Sequence, residues 1–167
     1  MHLEEMNHLG WHDYIEKLDD YELIRFIDQN IHPTYLRLTE AVLLPFLRIA
    51  AHFSRQDRDK NTGGLDIWSV AEELKGSSLE TATSSYRNTV RNGIAHGGIT
   101  YLQKEIRYKD KKGHDEKLTD SEMIRLVDDL FDACNALSLA LSLFFLVKHS
   151  FGYALPRQLL LNELKEE

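Results

Sequence analysis

The segment Arg91-Asn92-Gly93-Ile94-Ala95-His96-Gly97 concentrates side chains able to hold phosphate and move protons. On a helix each residue advances ~100°, so residues four apart share a face and residues five apart diverge by ~140°. Asn92 and His96 therefore share a face, Asn88 prolongs their row, and Arg87 and Arg91 share an adjacent one. A guanidinium, an amide and an imidazole at the end of a helix suit RNA cleavage by the RNA's own 2′-hydroxyl. Imidazole titrates near neutrality and moves protons at the attacking or leaving oxygen, while the permanently charged guanidinium offsets charge building on phosphate. The same letters also read plainly: Arg91 in a surface ion pair, and His96 as a polar helix-end residue favoured by the negative end of the helix dipole.

Other constellations are weaker. His8 and His12 lie one turn apart beside Glu4, Glu5 and Asp13, but no cysteine pair or third ligand at zinc spacing accompanies them, so no metal or cofactor is expected. His52, His114 and His149 each stand alone in the sequence and read as solvated or helix-terminal. Ser84 and Ser85 lack a glycine-flanked nucleophile turn, and there is no phosphate-binding glycine loop. Trp11 and Trp68 read as core or edge-of-core aromatics.

The net charge of −7 argues against nonspecific coating of nucleic acid, which relies on many cations neutralising phosphates. Between Arg87 and Lys117 the balance reverses, with eight basic residues against four acidic ones. Arg87, Lys104, Arg107, Lys109, Lys111 and Lys112 are the candidate RNA-guiding cations; the alternative is a solvated hairpin of mixed charge. The lone cysteine, Cys134, lies in an apolar run and reads as buried and inert, and Met1 to Asn30 lacks the basic start and apolar stretch of a secretory signal. The expected location is cytoplasmic, away from membranes. Ala133 to Val147, shorter than the ~20 residues that span a bilayer, reads as a buried helix.

Residues 1–167 read as a single all-α domain: an antiparallel bundle of about five helices with a short strand or hairpin inserted after the motif helix. Apolar spacing predicts helices over 12–29, with a fresh start at Asp19-Asp20, and over 34–54, with Pro33 as the break between them and Pro45 as a kink or split. A polar loop over 54–64 precedes a short helix, Asp66 to Lys75, closed by Gly76. Ser77 with Glu80 predicts a capping box that opens one helix running to Gly97-Gly98. Alternation at Ile99, Tyr101, Ile106 and Tyr108, with a turn at Asp110 to Gly113, gives the insert. Thr119 with Glu122 opens the longest helix, to about His149, and a last short helix is expected within 157–167.

Arg91, followed by polar Asn92 and separated from His96 by four residues counted from the arginine, late in a helix of an all-α domain, resembles the motif of HEPN-family ribonucleases. The likeness covers roughly residues 34–150 in element order but only 87–98 in specific letters. It implies a symmetric homodimer in which two motif helices form one composite cleft. Under that resemblance Arg91 binds the scissile phosphate, His96 acts as acid or base, and Asn92 orients the phosphate or the histidine. A single convex helix makes no concave site, so concavity is expected from the pairing. The activity implied is a metal-independent endoribonuclease in a toxin-antitoxin, antiphage or stress-defence role, with RNA as substrate and an antitoxin or defence protein as partner. The alternatives are a noncatalytic HEPN-like module that binds RNA or protein, and a plain helical interaction domain, part of a longer defence protein, using the apolar face of 126–147.

Overall fold

The computed structural model describes residues 17–103 and 105–154, with side chains to Lys148. The expectations for His8, His12, Trp11, Lys104 and a helix within 157–167, and for the side chain of His149, lie outside the described residues.

Among the described residues there are four helices and one three-stranded antiparallel sheet, so the chain is mostly helical with a β insert, and the expected count of five is too high. The difference lies at the prolines. Residues 20–56 form one continuous helical run, α1, built from Asp20–Phe26, a wide π-helical stretch Ile27–Ile31, His32–Arg37, a second wide stretch Leu38–Leu43, and Leu44–Gln56. It opens at Asp19, whose carboxylate accepts the Glu22 backbone N–H while the Glu22 carboxylate accepts that of Asp19.

Pro33 and Pro45 neither break nor split this run. Each follows directly on a wide turn: the backbone N–H of His32 bonds to the carbonyl of Ile27, and that of Leu44 to Thr39, five residues back in each case. A proline ring clashes with the carbonyl four residues earlier, and a π turn moves that carbonyl aside.

The wide turns also keep one stripe inward. Ile27, Ile31, Tyr35, Thr39, Leu43, Leu47 and Ala51, spaced every fourth residue, are all 0–2% exposed. In an ideal α-helix such a stripe drifts ~40° per step, or ~240° over the six steps; two inserted residues take back ~200° of it. The core therefore selects the π geometry.

Helix α2, Ile67–Leu74, is capped by the Asp66 carboxylate, which accepts the Ser69 N–H at 2.8 Å. It is tied to α1 through Glu73, which accepts from Arg55 Nε at 3.2 Å and pairs with Arg58. Gly76, at φ +75°, follows as expected. The continuous helix expected from Leu79 to Gly97 is instead split into a 3-10 turn, Glu80–Thr83, and α3, Asn88–Ala95. Glu80 reaches back to the N–H of Gly76 rather than Ser77, so the capping box does not close. Buried Tyr35 accounts for the break: its hydroxyl accepts the Arg87 N–H at 2.8 Å and lies 3.3 Å from the Ser85 carbonyl, which holds Arg87 extended.

The sheet runs β1 (Ile99–Leu102), β2 (Glu105–Lys109), β3 (Asp115–Leu118) in order, with Ile99 opposite Tyr108 and Ile106 opposite Leu118. The third strand was not anticipated, because Asp115–Leu118 is polar and pairs only through β2. Ile106 and Tyr108 enter the core, and Arg107 and Lys109 face outward. Helix α4, Asp120–Ala154, opens at the expected Thr119/Glu122 box. Its first half buries Met123, Ile124, Val127, Leu130 and Cys134, the last as its apolar setting predicts.

The expected burial of Ala133 to Val147 holds at Cys134 and in part at Leu137, and is overturned beyond it. Leu139, Leu143, Phe144, Phe145, Leu146 and Val147 are each more than half exposed, because α4 outruns the elements that pack against its first half. By length and composition alone, Asp120–Lys148 is long and apolar enough to cross a bilayer.

His32, 2% exposed, shares a 2.8 Å hydrogen bond between its Nε2 and the Tyr108 hydroxyl, joining α1 to β2. Burial, opposed by nearby Asp28, pushes its pKa down from 6.5 to about 4. The folded state therefore disfavours the imidazolium that the unfolded chain accepts. Stability is complete above pH ~6.5 and falls as pH drops toward ~4, by at most about 3 kcal/mol from this one group. Urea unfolding at pH 7 and pH 4.5 should show this loss, and His32→Gln should shrink it. An unchanged acid slope in that variant counts against the assignment.

Candidate functional site

Helix α3 is only eight residues long, and its position is set by two glycines. A Cβ on Gly93 would lie 3.0 Å from Tyr108 Cβ and 3.3 Å from the Lys109 nitrogen, and one on Gly98 would overlap the Lys109 carbonyl oxygen. Strand β2 thus lies directly against the end of α3. The Gly98 N–H donates to the Gly93 carbonyl at 2.7 Å, and the Lys109 N–H donates to the Gly98 carbonyl at 2.8 Å. Gly97, at φ +70°, takes the left-handed position that ends the helix, as expected.

This docking carries the β2–β3 turn beside the helix end and creates a cleft of about 500 Å³. Asn88, Arg91, Asn92 and His96 line one wall, as their spacing predicts; Lys111, Lys112, Asp110 and His114 come from the turn, and Asp66, Trp68 and Tyr86 complete the rim. Concavity is therefore present within one protomer and does not wait for a second.

A hydrogen-bonded chain orders the α3 wall. The Tyr86 hydroxyl donates to Asn88 Oδ1 at 2.9 Å, Asn92 Nδ2 donates to the same oxygen at 3.2 Å, and Arg91 Nη1 donates to Asn92 Oδ1 at 2.8 Å. Asn92 thus positions the guanidinium. Burial holds the Tyr86 phenol above its ordinary pKa, so it remains a donor. Arg91 also donates from Nε to Glu40 Oε1 at 2.6 Å, with Nη2 at 2.5 Å from the same oxygen. Glu40 lies in the second wide turn of α1 and was not anticipated. The expected ion pair of the plain reading therefore exists, but it leaves further guanidinium N–H donors available to a ligand. His96, at the end of α3, is exposed, and among the described residues its ring makes no hydrogen bond.

Of the candidate RNA-guiding cations, the structure brings only Lys111 and Lys112 to the cleft. Arg87 precedes α3 in an extended conformation, so it does not share a face with Arg91, and it lies 3.8 Å from Glu116. Arg107 is paired with Asp115, and Lys109 points to the outer face of the sheet. Two residues read as bystanders are part of the cleft. Trp68, half exposed, forms its rim rather than the core. His114, read as isolated, is bonded through Nδ1 to Asp110 Oδ2 at 2.8 Å. The spacing Asp110 to His114 across a Gly-containing turn was the available signal.

Among the described residues no group of three or more His, Cys, Asp or Glu side chains is arranged to hold a metal ion. Asp66 and Asp110, the cleft carboxylates, are engaged by Ser69 and by the turn respectively.

Gly98→Ala should unseat β2 from α3, because backbone cannot yield as a flexible side chain does. We expect a loss of at least ~2 kcal/mol by denaturant unfolding, at the upper end of ordinary substitutions. A wild-type midpoint in that variant would show that the strand is not held tightly against the helix. Compared with known proteins, the chain matches no family model, no curated protein and no solved structure.

Proposed function

We propose that the cleft is the site of a metal-independent endoribonuclease of the HEPN type, working as a homodimer in growth arrest or defence. The observation that carries this reading is that Arg91, Asn92 and His96 share one cleft wall while Lys111 and Lys112 face it from the turn. A phosphodiester seated there meets a guanidinium ordered by Asn92 and an exposed imidazole. The 2′-oxygen attacks the adjacent phosphorus, His96 transfers a proton, and Arg91 offsets the charge that accumulates on the phosphate oxygens. The product is a 2′,3′-cyclic phosphate and a 5′-hydroxyl. Imidazole and guanidinium supply both tasks, so cleavage is expected to persist in EDTA.

One observation favours the noncatalytic alternative, an RNA- or protein-binding module: the Glu40 carboxylate already holds part of the Arg91 guanidinium. A ribonuclease assay with product analysis separates the two. His96→Ala should lose at least ~100-fold in rate while still binding RNA, and Arg91→Ala should lose both. Activity should fall on dilution in step with dimer dissociation measured by light scattering. A 5′-phosphate product, or activity abolished by EDTA and restored by magnesium, counts against the mechanism.

The cleft-facing cations make a separate prediction. Reversing Lys111 and Lys112 together should weaken RNA binding and flatten the plot of log affinity against log salt, by roughly 0.7 in slope for each phosphate that is no longer neutralised. Reversing Lys109 should do neither. Equal effects from the two changes would place the RNA elsewhere.

A further inference from the structure

Cleavage by the 2′-hydroxyl needs two proton transfers, one from the attacking 2′-oxygen and one to the leaving 5′-oxygen on the far side of the phosphorus. One imidazole at the end of α3 serves one of them. The cleft holds a second imidazole, His114, on the β2–β3 turn.

Its surroundings are those of an oriented ring. The His114 side chain is 66% exposed, whereas the carboxylate it bonds, Asp110, is 4% exposed. Asp110 Oδ1 accepts the backbone N–H of Lys112 at 2.8 Å and that of His114 at 2.9 Å, which fixes the carboxylate to the turn. Closing the turn therefore needs only Oδ1, and Oδ2 is committed to His114 Nδ1 at 2.8 Å. The hydrogen bond from His114 holds the Asp110 carboxyl below the usual carboxylate range, so Asp110 is an acceptor and Nδ1 must be the donor. Nε2 is then the nitrogen left to exchange protons.

We propose that His114, oriented by Asp110, is a second proton-transferring residue of this cleft, paired in task with His96. The inference rests on the ribonuclease reading above. As the bond from the 2′-oxygen to phosphorus forms, one imidazole takes the 2′-proton. As the bond from phosphorus to the 5′-oxygen breaks, that oxygen takes a proton from the other imidazole, which enters the step protonated. The two rings finish with their protonation exchanged, and water restores them. Asp110 is a positioning residue: it sets the tautomer and the orientation of the ring without itself being protonated.

The test is the pH–rate profile of an RNA with a single scissile linkage. The titratable and charged groups that line the cleft with His114 are Asp66, Tyr86, Arg91 and His96, with Asp110, Lys111 and Lys112 on its own turn. Wild type should give a bell with two limbs. His114→Asn keeps a donor for Asp110 but has no titratable nitrogen; it should lose one limb and at least ~100-fold in rate, with melting temperature and RNA affinity unchanged. His96→Ala should lose the other limb. Asp110→Asn should keep both limbs, lose less in rate, and displace the limb that His114→Asn removes. A wild-type rate and an intact bell in His114→Asn would make Asp110 and His114 a turn clasp and overturn this inference, leaving Arg91 and His96 in their roles. Absence of RNA cleavage by the wild-type protein at every pH would overturn the ribonuclease reading and this inference with it.

Discussion

The site depends on one backbone-to-backbone contact. Strand β2 rests on the end of α3 where two glycines leave no side chain between them, and the Lys109 N–H bonds to the Gly98 carbonyl. This contact sends Tyr108 into the core against α3 and places the turn from Asp110 to His114 beside His96. A helix end that would otherwise be convex becomes one wall of a cleft. Packing and cleft geometry are here the same event, since the residues that dock the strand are neighbours of those that line the cleft.

The parts of this arrangement governed by local chemistry were legible in the sequence. Helix periodicity placed Asn88, Asn92 and His96 on one row, the glycines closed α3, and the caps at Asp19 and Thr119 opened α1 and α4. The failures have a common form: a local rule met a distant partner. Proline ends helices when nothing holds them open, but here a stripe repeating every fourth residue had to stay inward, and that repeat was visible in the letters of residues 27–51. The expected long helix before the motif was cut by a hydroxyl on α1, Tyr35, more than fifty residues away in the chain. Apolar composition predicted burial for Ala133 to Val147, but burial requires an opposing surface, and among the described residues little covers the stretch beyond Leu137. The spacing Asp110 to His114 could signal a paired imidazole, but its relation to His96 exists only once β2 has docked.

Charge is distributed to the same end. The chain is acidic overall, and several cations outside the cleft are matched at short range: Arg107 by Asp115, Lys117 by Glu105, and Arg55 and Arg58 by Glu73. Lys111 and Lys112 stand at the cleft mouth, and Arg91 is shared between Glu40 and Asn92. Under the proposed ribonuclease reading, a polyanion would find its local positive charge at this mouth against an acidic background, which favours one orientation of approach over general adhesion.

The wide turns of α1 give its length a meaning that its composition does not carry. Each is in effect one inserted residue, and Glu40, which holds Arg91, lies in the second. A single-codon deletion within 38–43 would close that wide turn into ordinary α-helix and leave the two halves of the helix in phase, altering only the turn that carries Glu40. Ile27, Ile31 and Tyr35 would keep their places in the core, and the change would fall on the grip of Glu40 on Arg91. The wide turns thus let the helix lose a residue at either of two places without turning its buried face, and the second of those places is also where it reaches the cleft.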